Sequence, residues 1–121
     1  MPHLTLEYTN NLRLFDAAKA LRDLNGALIE SKLFEEADIK SRALSLDTFL
    51  VGASPDPRGF IHVRLAILSG RSEQAKRDLS ASLLHALKAR CEPMTGGEIQ
   101  LSVEIQDIER GSYAKATLTA G

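Results

Sequence analysis

Five residues of this 121-residue chain have the types and positions for acid–base work on an anion: Pro2, Arg13, Lys40, Arg42 and Arg71. Pro2 follows the initiator Met in "MPHLTLEY". Aminopeptidases remove an initiator Met when the next side chain is small, and proline qualifies. Pro2 would then carry a free secondary amine held by a strand. The same residue also reads as punctuation, because proline lacks an N–H and is tolerated at a strand's first residue. Taken on this stretch alone, punctuation is the favoured reading. The four cations fall at strand ends, and each by itself reads as a solvated charge. Arg71 stands apart, because "SGRSE" puts it in a tight strand-to-helix turn, where backbone N–H groups point outward.

Other chemistries find no support. His3, His62 and His85 lack the close spacing and neighbouring acids of a metal site and read as surface or edge residues, so no metal is expected. Cys91 lies late in a helix, away from the N-terminal setting that activates a thiolate, and reads as a buried structural thiol. "SGRSE" has one glycine and no phosphate-loop pattern. Serine, histidine and aspartate are too common here to nominate a nucleophilic triad.

The elements that must position these residues come in two similar halves. His3, Thr5 and Glu7 alternate with Leu4, Leu6 and Tyr8, the period of a half-buried strand. Leu14, Ala17, Ala18, Leu21, Leu24 and Leu28 then recur at helical spacing. "IKSRALSLDTFLV" returns to strand character and ends at Gly52 and the turn-rich "ASPDPRG". The pattern restarts with "FIHVRLAIL", an aliphatic strand of central type. A helix follows, with Ser72 as N-cap, Glu73 favourable to its dipole, and a stripe of Ala75, Leu79, Leu83, Ala86 and Leu87. Pro93 stops it. "EIQLSVEIQDI" is the last strand, with Ile99, Leu101, Val103 and Ile105 on one face. A shift of 58 residues lays Arg13 on Arg71, Ala17 on Ala75, Leu21 on Leu79 and Ala43 on Leu101. The expected fold is α/β (α+β): one domain over 1–121 made of two β-α-β units, 2–52 and 59–108, with a C-terminal segment 109–121. Right-handed crossovers make the strands of each unit parallel, giving a four-stranded sheet with both helices on one face. The other face has no layer to cover it, so oligomerisation is expected.

Composition is that of an ordinary globular chain, 44% hydrophobic and 26% charged, with a formal net charge of -1. The dispersed lysines and arginines argue against nucleic acid as partner. No apolar run approaches the ~18–20 residues that span a bilayer, so no membrane association is expected. The lone cysteine and the absence of a secretory signal make the cytoplasm the expected location.

Four segments, "PHLTLEYTNNL", "IKSRALSLDTFLVG", "FIHVRLAILSGRS" and "LSVEIQDI", together resemble the 5-carboxymethyl-2-hydroxymuconate isomerase family of the tautomerase superfamily, from Pro2 to about Ile108. The resemblance implies paired strand–helix–strand units, a homotrimer and no cofactor. It implies Pro2 as general base, with Lys40, Arg42 and Arg71, the cations of "IKSR" and "GRS", binding a dicarboxylate substrate in aromatic-compound catabolism. Arg71, with a planar fork held in a rigid turn, reads as a catalytic residue beside Pro2, and Arg13, by residue type and position, as a further substrate binder. Where relatives resemble I-R-S-R, this chain has Lys40 before Arg42; lysine keeps the charge but lacks the planar fork that grips a carboxylate. The chemistry agrees with the residue types. An α-amine titrates at about 7.7–8.0, a prolyl amine somewhat higher, and burial with nearby cations lowers that toward working pH. The competing expectation is a catalytically silent trimer that binds a small acid or a protein partner.

Overall fold

The computed structural model describes residues 1–94 and 96–120. In chain order it contains β1 (His3–Thr9), α1 (Ala17–Glu30), a short 3-10 turn (Glu36–Asp38), β2 (Lys40–Leu46), β3 (Arg58–Leu68), α2 (Glu73–Cys91), β4 (Glu98–Ile108) and a second 3-10 turn (Arg110–Ser112). The four strands form one sheet in the order β2-β1-β3-β4. β1 runs parallel to β2 and β3 parallel to β4, while the central β1–β3 pair is antiparallel. Each half therefore has the expected parallel strand–helix–strand form.

Both helices pack on one face of this sheet. Leu4 and Leu6 of β1 and Ile61, Val63, Leu65 and Ile67 of β3 are buried there with Leu24 and Leu28 of α1 and Leu79, Leu83 and Leu87 of α2. Full burial of a side chain of this size is worth about 1.5–3 kcal/mol, so this layer dominates the fold's stability. The α2 stripe agrees with its sequence period, and Cys91 closes it as a buried thiol whose pKa burial pushes up. The α1 stripe is rotated from expectation. Asp16 caps the helix by accepting from the Lys19 backbone N–H at 3.1 Å, so the helix starts at Ala17. Leu14 thus precedes it and is 74% exposed, Ala18 faces outward, and Ala20 takes the buried position. β2 is also shorter than its sequence pattern. It ends at Leu46 because its partner β1 ends at Thr9, where Asn10 closes the pair by donating its backbone N–H to Leu46 O.

The antiparallel centre governs what meets what. His3 pairs with Ala66, so the end of β3 lies beside the start of β1. The turn carrying Arg71 is thereby delivered to Pro2. By the same token, the turn carrying Arg13 is delivered to the start of β3, a strand length of roughly 20 Å away.

Among the described residues no helix lies on the second face of the sheet, which is largely polar. His62, expected as a surface or edge residue, lies on this face in a row across β3 and β4. Its Nδ1 is 2.6 Å from Ser102 Oγ and its Nε2 2.8 Å from Glu104 Oε2. The parallel register, His62 on Ser102 and Arg64 on Glu104, brings together residues about 40 apart in sequence. Among the described residues, no helix is long and apolar enough to cross a membrane.

Candidate active site

Pro2 is fully buried immediately before β1, and its carbonyl accepts from the Lys40 backbone N–H at 3.1 Å, which ties the chain's start to that of β2. A cleft of about 220 Å³ opens beside it, walled by Met1, Leu33, Phe34, Asp38 and Arg71. Leu33 and Phe34 come from the loop after α1, and Asp38 from the following 3-10 turn. Arg71 comes from the turn after β3. That turn is sharp because Gly70 has φ 119°, a conformation open to glycine and strained for other residues. Ser72 then caps α2 by accepting from Ala75 N–H at 3.1 Å. Turn and cap together hold Arg71 at the mouth of the cleft.

Arg71 itself is oriented by two contacts. Its Nη2 donates to Leu33 O at 2.9 Å, and its guanidinium carbon lies 5.7 Å from the Phe34 ring centroid, within cation–π range. One N–H is engaged in that bond, and a guanidinium offers five in a planar fork. Its remaining donors are available to a carboxylate.

Lys40 and Arg42 stand on the opposite side of the sheet's end, one pleat apart on β2. Lys40 Nζ donates to Asp38 O at 2.8 Å. Arg42 donates to Thr5 Oγ1 at 3.3 Å and to His3 Nδ1 at 3.4 Å. His3 Nε2 in turn lies 2.9 Å from the Tyr113 hydroxyl. Burial first, then Arg42, Lys40 and the chain's amino terminus, hold the His3 pKa below its usual value, which keeps the ring neutral. His3 is therefore a half-buried neighbour of the cleft rather than a free edge residue.

The electrostatics at the chain's start favour a neutral amine. Burial lowers the pKa of the terminal ammonium group, Lys115, Lys40 and Arg71 lower it further, and Asp38 opposes them. With Met1 attached the Pro2 nitrogen is an amide. Removal of Met1 transfers the free amine to Pro2, which is fully buried beside the same cleft.

Arg13 does not join this group. It lines a separate cleft of about 270 Å³ with Asn11, Leu12, Arg58, Gly59 and Glu98. This cleft lies at the opposite end of the sheet, beside the start of β3. The chain there continues through Gly59 into Phe60, mid-chain, whose amide N–H donates to Thr9 Oγ1 at 3.2 Å. The 58-residue shift is out of phase at this strand, because it lays the buried Leu4 and Leu6 on His62 and Arg64 of the opposite face. The approach at Gly59 is closed, since a Cβ there would meet Leu12 and Thr9 side chains at 2.7 Å. Among the described residues, the cleft that holds Arg13 is thus distinct from the cleft beside Pro2. Conversely, Phe34, Asp38, Tyr113 and Lys115 adjoin that cleft without having been apparent from sequence patterning, because none lies on a periodic segment.

A family model for 5-carboxymethyl-2-hydroxymuconate isomerase matches residues 2–120. Among solved structures, a 5-carboxymethyl-2-hydroxymuconate isomerase from Deinococcus radiodurans R1 is 32% identical, with a TM-score of 0.89 over 97% of this chain and 90% of that one. A 5-carboxymethyl-2-hydroxymuconate delta-isomerase shares the fold at 19% identity, with a TM-score of 0.78 over 98% and 89% of the two chains. So does a fused 4-OT described as a symmetric trimer, at 20% identity and a TM-score of 0.68 over 94% and 91%. No curated protein matches. On the family match over nearly its whole length, the chain belongs to the 5-carboxymethyl-2-hydroxymuconate isomerase family of the tautomerase superfamily and is an isomerase.

Proposed function

We propose that this isomerase converts an unsaturated 2-hydroxy polycarboxylate of the 5-carboxymethyl-2-hydroxymuconate type, a muconate with a third carboxylate on its side arm, into its conjugated 2-oxo isomer, in the catabolism of aromatic compounds. The observation that carries the reading is the pairing of Pro2 with Arg71 in one cleft at the sheet's end. The reaction moves a proton and two double bonds. The 2-hydroxyl proton leaves, the oxygen becomes a carbonyl, the two C=C bonds collapse to one shifted by a position, and a distal carbon gains a proton. Atoms and electrons balance without a cofactor. Pro2, freed of Met1, is the base that accepts the proton and returns it. Arg71 directs its fork at a carboxylate and at charge gathering on oxygen. Lys40 and Arg42 draw in a second carboxylate. Arg13, distant within the chain, serves the substrate only where a neighbouring subunit supplies it.

The working unit we infer is one tautomerase-like domain in a cytoplasmic homotrimer, with the polar second face of each sheet turned toward its partners. The test is ketonisation of 2-hydroxymuconate by Met-free protein, monitored by the loss of dienol absorbance. Acceleration by wild type and its collapse in Pro2→Ala, with Met1 removal verified by mass spectrometry, is the expected result. Equal rates with and without protein would overturn the reading.

A further inference from the structure

The C-terminal segment returns to the start of the chain. Its path is pinned at three places. Arg110 Nε donates to Ser69 O, at the end of β3. The Tyr113 hydroxyl meets His3 Nε2 at 2.9 Å, with the two rings edge to face at 6.0 Å between centroids. Lys115 Nζ then donates to Asp38 Oδ1 at 2.8 Å and to Met1 Sδ at 3.3 Å. A residue 114 positions away in sequence therefore touches the residue whose removal exposes the Pro2 nitrogen.

We propose that Lys115 is a positioning residue of the Pro2 site: by tying up the Asp38 carboxylate beside the amine, it keeps Pro2 in its unprotonated, basic form. This deepens the isomerase reading above and rests on it for its catalytic consequence. The physical argument concerns a balance of charges. Asp38 and Arg71 line the cleft together with Pro2. At the Met1 amine one residue away, Asp38 raises the pKa, while Lys115, Lys40 and Arg71 lower it. Lys32 and Glu35 also line the cleft, and His3 beside it is held neutral. An unpaired carboxylate at Asp38 would hold a proton on the amine, and a protonated base cannot act. The Lys115 contact depresses the Asp38 pKa and occupies its charge. Lys40 does not substitute for it, since its Nζ is directed to the Asp38 backbone carbonyl rather than the carboxylate.

The test reads the amine directly. In Met-free protein labelled with ¹⁵N-proline, only the Pro2 nitrogen is an amine, so its resonance alone follows its own titration. Lys115→Met should raise the midpoint by about one pH unit, because an opposite charge is freed and a like charge is lost. Lys115→Arg should restore it, and Lys115→Met combined with Asp38→Asn should bring it back toward wild type. The acid limb of kcat/KM on 2-hydroxymuconate should move with the midpoint, and near-neutral activity of Lys115→Met should fall several-fold. An unmoved midpoint in folded Lys115→Met, or an equal shift in Lys115→Arg, overturns the proposal even if Pro2-dependent turnover is intact. A shifted midpoint in a protein that turns over no dienol upholds the charge balance and overturns the isomerase reading instead.

Discussion

At the scale of single residues, Arg71 and Lys40 differ in how they are held. Arg71 is clamped by Leu33 O and the Phe34 ring, so its fork arrives oriented and needs no reorganisation as charge develops. Lys40 is a flexible point charge whose ammonium already binds the Asp38 carbonyl. Arg71→Ala should therefore lose most of its activity in kcat, with a loss of about 2–4 kcal/mol in transition-state stabilisation. Lys40→Ala should act mainly through KM, and Lys40→Arg should retain or improve turnover. Steady-state kinetics of the three variants separates these outcomes, and a near-wild-type Arg71→Ala beside an inactive Lys40→Ala would reverse the assignment. Pro2, Lys40, Arg42 and Arg71 were legible as candidates from residue type and position at strand ends. Arg13 was equally legible by those criteria, yet it lies at the other end of β1, because the antiparallel β1–β3 pairing delivers its turn to the start of β3.

At the scale of elements, the site depends on where α2 begins. Ser72 accepts from Ala75 N–H, and the residue before that cap is Arg71, so the cap and the arginine of the cleft share one turn. Ser72→Ala should cost about 1 kcal/mol of stability, measured by urea denaturation, and should also lower kcat as the turn loosens. Leu83→Ala, at a fully buried position in the middle of α2, should cost more, about 2–5 kcal/mol, while leaving kcat of the folded fraction near wild type. The contrast distinguishes an element end that positions chemistry from an element centre that holds the layer. α2 could be read from its sequence because period and cap agree there. In α1 the apolar period ran past the true start, and only the Asp16 cap decided the helix phase.

At the scale of the whole molecule, one face of the sheet is closed by helices and the other presents polar residues in pairs. The carboxylate of Glu104 is held below its usual pKa, by His62 first and then Gln106, and stays charged in that row. Such a face, continuous across the strands and without a covering layer among the described residues, suits a symmetric partner that completes its hydrogen bonds. Light scattering at micromolar concentration should give a mass close to three times the 13.2 kDa of the chain. A stable monomer would overturn the trimer.

The sequence by itself determined the strand–helix–strand repeat, the parallel pairing within each half and the layer of aliphatic side chains, because these follow from local period and from nearest-neighbour connections. It also carried Pro2 and Arg71, because an N-terminal proline and an arginine in a Gly-led turn are visible at their own positions. The tertiary structure alone decided that the β1–β3 junction is antiparallel in a register that sets Arg71 against Pro2 and sends Arg13 away. It alone brought Asp38, Tyr113 and Lys115 together around the first residues of the chain. These contacts join segments tens of residues apart through turns and an irregular tail. Such segments have no period to read, and the partners they meet are chosen only when the sheet and its two helices have packed.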